Sequence, residues 1–297
     1  IPDGVTKIGK LAFNKCSGFD GTLTLPSSLK SIGDGAFQLC SGFTGDIVIP
    51  EGVETLGAYV FTMCSGFTGD LVIPDGVQTL GKFAFNKCSG FNGTLTLPST
   101  LKSIGNYAFQ LCSGFTGDLV IPEGVETIEK GTFNECSGFN GKLILPSGLK
   151  TIGDGAFNNC SSLTGPLNLS DKIESIGEFA FNNCSSLTGS LNLPDKIESI
   201  GQFAFNHCSS LTGDLVIPNS ITKISRASFQ GCQGLTGKLV LPDSITTIEG
   251  WAFYTDRFTG TLTLPSKLET LGEAAFGANI NFENTKIVIP ASLKKIG

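Results

Sequence analysis

A period of 24 residues runs through this chain, and few folds accommodate so strict a repeat. Phenylalanine recurs at Phe13, Phe37, Phe61, Phe85 and onward to Phe253, always 24 apart. Cysteine keeps the same step from Cys16 to Cys232, and proline from Pro2 to Pro242, with Ser170 filling the one gap. A one-residue deletion near Asp256 moves the later landmarks to Pro265 and Phe276. An insertion before Lys286 then restores the frame at Pro290. When like residues return at a short fixed interval, each unit buries them against its neighbours' copies. A chain of 297 residues therefore need not divide into separate globules.

The columns of one unit indicate how it turns. Leu23-Thr24-Leu25 alternates apolar, polar, apolar, the period of a half-buried strand, and Pro26 ends it. Leu29 and Ile32 are spaced for a bend or a second short strand, while Gly33 and Gly45 mark turns. The stretch from Asp34 to Cys40 suits a helical turn but is too short for a stable helix. The expected fold is a repeat solenoid, a right-handed superhelix of mainly parallel β structure with short helical or 3-10 turns. It has about twelve coils of 24 residues. It forms a single domain over 1–297, in which 1–72 and 73–144 are near-duplicates. Coils over 145–241 carry Ser-Ser-Leu, as in Ser185-Ser186-Leu187, where earlier ones carry Ser41-Gly42-Phe43; 242–297 are irregular terminal coils. Both ends fall inside a repeat, so the chain reads as a trimmed piece with uncapped edges.

Charge narrows the partners. With 20 basic against 26 acidic residues the net charge is −6, and no basic stripe exists to neutralise phosphates, so nucleic acid is not expected. No apolar run approaches the ~20 residues of a membrane span, so no membrane insertion is expected either.

The ordered recurrence of Ile49-Pro50, Leu80-Gly81, Ala84-Phe85 and Cys88 resembles the BspA-like leucine-rich repeats. The run Leu193-Pro194-Asp195-Lys196-Ile197-Glu198-Ser199-Ile200-Gly201, followed by Phe203-Ala204-Phe205 and Cys208, carries the same pattern. The resemblance covers essentially the whole chain. It implies a leucine-rich-repeat protein exposed on a cell surface, with a role in adhesion or extracellular ligand binding. Turns such as Thr44-Gly45 make this unit slightly longer than the commoner family repeat.

The ten cysteines form one line, with neighbours ~4.8 Å apart and parallel, which suits neither a disulfide nor a tetrahedral metal site. They are expected to be buried free thiols. The one histidine, His207, shares its column with Lys15, Leu39, Met63 and Asn183, which marks a surface position. No catalytic, metal or cofactor set stands out, so an enzyme is not expected. Two columns are candidates for binding. One is the outward face of the Leu-x-Ile strand, with Asp46, Val48, Asp70, Val72, Asp118 and Val120; the Asp46 and Asp70 carboxylates stack closely enough to favour a cation. The other precedes the Ala-Phe pair and holds Tyr59, Phe83, Tyr107 and Trp251, but glycine at Gly35, Gly131 and Gly155. A column of amides at Asn14, Gln38, Asn86 and Gln110 is expected to form a structural hydrogen-bonded ladder.

Two functions remain in view. The first is adhesion or ligand binding at the cell surface, with a host or matrix protein or a glycan as partner. The second is a spacer or filament segment that self-associates through its uncapped ends.

Overall fold

The computed structural model describes residues 1–282 and 287–297. The fold is a parallel-strand β-solenoid of about twelve turns. Its contacts group into two units, Ile1–Gly148 and Leu149–Gly297.

In the first unit the longest sheet runs through Lys7–Ile8, Ser31–Ile32, Thr55–Leu56, Thr79–Leu80 and Ser103–Ile104. The strands are parallel, and Lys7 faces Ser31, which faces Thr55, so the sheet register is the sequence repeat itself. Parallel neighbours need a crossover of a dozen or more residues, and the rest of each coil supplies it. The stretch around Leu29 and Ile32 is thus the main sheet rather than a bend. The Leu-x-Ile segments form shorter ladders, Leu71–Val72 with Leu95–Thr96 and Leu119–Val120 with Leu143–Ile144.

In the second unit the same sheet position holds Thr151–Ile152, Ser175–Ile176 and Ser199–Ile200, and then Lys223–Ile224, Thr247–Ile248, Thr270–Leu271 and Lys295–Ile296. Thr247 faces Thr270, 23 residues on, and Thr270 faces Lys295, 25 residues on. The deletion near Asp256 is therefore absorbed without loss of register. The insertion placed before Lys286 falls outside the described residues.

The expected helical turn from Asp34 to Cys40 does not form. Gly35 and Leu39 both have left-handed φ, near +59° and +63°, and the same pair recurs as Tyr59 and Met63, Phe83 and Lys87, and Tyr107 and Leu111. A helix needs consecutive right-handed residues, and one left-handed residue in four prevents it. Alternate backbone donors go to the adjacent coil, as with Phe37 N–H to Val60 O and Phe61 N–H to Ala84 O, while those between them close single turns within the coil, as with Gln38 N–H to Gly35 O. His207 is exposed, as its column suggested, yet its φ of +58° ties it to this backbone path.

The phenylalanine spine is present. Phe37, Phe61, Phe85 and Phe109 are buried and stack at centroid separations of 5.4 to 5.5 Å. A second ladder, Phe43, Phe67, Phe91 and Phe115, meets the first edge-on, with Phe61 and Phe67 at 79°. In the second unit Leu163, Leu187, Leu211 and Leu235 fill that second ladder.

All ten cysteines are free thiols, and nine are buried. The thiols from Cys40 to Cys136 and from Cys184 to Cys232 each donate to the carbonyl of the phenylalanine 27 residues before it, as with Cys64 Sγ to Phe37 O at 3.0 Å and Cys208 Sγ to Phe181 O at 3.1 Å. Burial pushes the Cys112 and Cys208 thiols up to about 12, leaving almost no thiolate at neutral pH. A native-state thiol-labelling experiment is expected to modify Cys16 alone, which is half-buried, and all ten only after denaturation. Rapid labelling of several native thiols would contradict the packing.

Two polar residues continue the cysteine column. Asn279 Nδ2 donates to Phe253 O, repeating the thiol bond. Asp256 stands between Cys232 and Asn279, fully buried, with no hydrogen bond to either carboxylate oxygen. Burial raises its pKa from 3.8 to about 8. The nearby amides of Cys232 and Gly231 oppose the shift only in part, because they already donate to Phe229 O and Tyr254 O. The folded chain thus keeps a proton that the unfolded chain loses, and stability falls as pH rises from about 4 to about 8. Asp256→Asn should remove that slope, so its Tm advantage over the parent grows through this window and is flat above it. A Tm difference independent of pH would rule out titration of Asp256.

Candidate ligand-binding face

The outward strand residues follow from the alternation of the ladder. Leu71, Leu95, Leu119 and Leu143 point into the core, and their successors point to solvent. Val48 is 73% exposed, Val72 49%, Val120 46% and Ile144 43%. Thr24 and Thr96 occupy the same column, so the position does not require an apolar side chain.

Asp46, Asp70 and Asp118 are exposed one column away, on the same side of the strand. They do not stack as a bare carboxylate pair. Asp70 Oδ1 accepts from the backbone N–H of Thr94 at 2.6 Å and from its hydroxyl at 2.9 Å. Those bonds hold its carboxyl below the usual range. Asp118 Oδ1 accepts from Lys142 N–H at 2.7 Å, and Asp46 Oδ1 from the Thr68 hydroxyl at 3.2 Å. Each aspartate thus links its coil to the next. No group of three His, Cys, Asp or Glu is placed to hold a metal ion among the described residues.

These links explain two of the turn glycines. A Cβ on Gly93 would collide with Asp70 Oδ1 and lie 2.7 Å from Asp70 N, and one on Gly141 would collide with Asp118 Oδ1 and lie 2.6 Å from Asp118 N. Gly141→Ala should therefore cost about 1–3 kcal/mol in denaturant unfolding. Asp118→Ala, which forfeits one hydrogen bond, should cost about 1 kcal/mol. Unchanged stability in Gly141→Ala would mean that the close approach is absent.

The aromatic column is placed differently from the strand face. Tyr59, Phe83 and Tyr107 are half-buried and stack on one another, with Tyr59 to Phe83 at 4.9 Å and 8° and Phe83 to Tyr107 at 5.0 Å and 17°. The Tyr107 ring lies over Gly131, where any Cβ would strike it. The guanidinium of Arg226 covers the Trp251 ring at 4.1 Å. Ring faces are therefore occupied within the fold, leaving edges for a ligand. Glycine and aromatic residues alternate here because the column is left-handed, with φ between +57° and +60° from Tyr59 to Gly131. The amide column does form a ladder, with Asn86 Nδ2 to Gln110 Oε1 at 3.0 Å and Asn206 Nδ2 to Asn182 Oδ1 at 2.6 Å.

The sequence reading assigned no role to the outward hydroxyls of the main sheet, Ser31, Thr55, Thr79 and Ser103. Their signal was the alternation in Ser31-Ile32 and Thr55-Leu56, which is too short to read as a strand.

Such coils, with a leucine or isoleucine ladder under each short parallel strand, define a leucine-rich-repeat solenoid. The chain belongs to the BspA type leucine-rich-repeat family, whose six-copy pattern matches residues 1–116, 67–188, 116–236 and 213–297. It is similar to a leucine-rich repeat protein from Bacteroides ovatus, at 26% identity and TM-score 0.74, over 99% of this chain and 78% of that one. A leucine-rich repeat protein from Eubacterium ventriosum shares 21% identity at TM-score 0.54, over 98% and 84%. A leucine rich cell surface protein from Faecalibacterium prausnitzii shares 28% identity at TM-score 0.43, over 81% and 77%. No curated protein matches the chain.

Proposed function

We propose that this chain is a cell-surface leucine-rich-repeat protein that binds an extracellular macromolecule through the outward face of its Leu-x-Ile strands, without catalysis. The observation that carries this reading is the row Val48, Val72, Val120 and Ile144, exposed where the fold accepts threonine equally well. Thr96 divides the row into two adjacent exposed apolar pairs, and exposed apolar patches mark contact sites. The strands beneath are pinned by coil-to-coil hydrogen bonds such as Leu71 N–H to Thr94 O at 2.9 Å, so the face is preorganised and little entropy is lost on docking. Membership of the BspA type family supports the surface location. Among the described residues no helix is long and apolar enough to cross a membrane.

A panel of matrix proteins, host glycans and intact cells tests the reading. At least one is expected to bind the full chain, and Val72→Asn with Val120→Asn is expected to weaken that binding about tenfold or more. Asparagine already occupies this column at Asn192, so the variant should fold. Binding that the variant leaves untouched would move the site elsewhere.

A further inference from the structure

In the second unit a shallow groove is lined by Ser190, Asn192, Asp195, Asp214, Val216 and Pro218. Apart from the landmark Pro218, these residues belong to three columns: the one before the strand leucine, the one after it, and the one following the proline. The groove therefore shows that all three columns border a single surface. In the first unit the same columns combine exposed apolar residues with carboxylates on both flanks. The middle one holds the exposed Val48, Val72, Val120 and Ile144. One flank holds Asp46, Asp70 and Asp118, and the other holds Glu51, Asp75 and Glu123, all exposed. Lysine enters these flanks only at Lys142. In the second unit the middle column holds Asn168 and Asn192 before the exposed Val216 and Val240, and the flanks are mixed, with Ser190 and Lys238 beside Asp171, Asp195, Asp214 and Asp243.

We infer that the first unit's strand face recognises a cationic polypeptide segment in which lysine or arginine side chains bracket apolar ones. This deepens the proposed function and rests on its assignment of the face. An apolar stripe bordered on both sides by carboxylates excludes anionic glycans and phosphates by repulsion and attracts a basic strand or helix at long range. A neutral sugar would find few donors along the valine row. The hydrogen bonds from Thr94 and Lys142 fix the positions of the Asp70 and Asp118 carboxylates, so the acidic flank is rigid. Ionised carboxylates on a rigid flank need no rearrangement to meet a cation.

The test uses the full chain and three labelled peptides of equal length: lysine–valine, glutamate–valine and lysine–serine. Fluorescence anisotropy is read at low and at raised salt. The lysine–valine peptide is expected to bind tightest, and to weaken with salt. Glu51→Gln with Asp75→Asn should weaken it about threefold to tenfold, as expected for the loss of two exposed charges. Val72→Asn with Val120→Asn should weaken it similarly. Asp171→Asn with Asp195→Asn, in the second unit, should leave it unchanged. Equal loss from either acidic pair, equal binding of the lysine–serine peptide, or preference for the glutamate–valine peptide would each overturn the inference. If no cationic peptide binds while the Val72 and Val120 variant still weakens a ligand from the earlier panel, only the partner's chemistry fails. If that variant changes no binding at all, the assignment of the face fails with it.

Discussion

Each coil is held by the coil beside it, through like residues placed directly over like. The in-register pairing of Ser31 with Thr55 and Thr79 with Ser103 sets one strand spacing per turn, and the phenylalanine ladder fills the space between sheets and turns. A buried phenylalanine contributes roughly 1.5–3 kcal/mol, provided apolar neighbours fill the space around its ring. That requirement makes the repeat strict. A shift of one residue would place rings against turns and carbonyls against carbonyls. Where the chain does lose and regain a residue, between Thr247 and Lys295, the change falls in the coil and the pairing is kept.

The same constraint decides where strain is accepted. Two left-handed residues in every coil cost about 1–2 kcal/mol each where the residue is not glycine. They let the backbone between them donate to the neighbouring coil, as Phe37 N–H does to Val60 O. The aromatic column sits on one of these residues, so its rings lie along the solenoid and cover each other. The cysteine column, by contrast, presents a small donor to a carbonyl 27 residues back. Asn279 reproduces that donor, whereas Asp256 occupies the same column buried and without a hydrogen bond to its carboxylate, which favours its protonated form.

The proposed binding surface is a by-product of this economy of position. A parallel strand of two or three residues sends alternate side chains outward, and the fold places no demand on what they are. Val48 and Val72 are exposed where Thr24 and Thr96 also occur, so their apolar character is not explained by packing. The aspartates beside them do have a packing explanation, since Asp70 and Asp118 accept backbone N–H groups of the next coil. One column can thus serve structure and still present charge.

Much of the fold was legible in residue order. The period set the coil length, the alternation of Leu23, Thr24 and Leu25 set which side faces inward, and the single line of cysteines argued against disulfides. Those inferences succeed because they depend on spacing along the chain and on side-chain polarity, both visible in one dimension. The main sheet at Ser31–Ile32 was harder to read, because two-residue strands carry too little alternation to stand out from a bend. The missing helical turn, the covered faces of Tyr59 and Phe83, and the engagement of Asp70 by Thr94 were decided by tertiary structure alone. Each depends on a backbone dihedral or on a partner 24 residues away, and neither is encoded in the local pattern of apolar and polar residues.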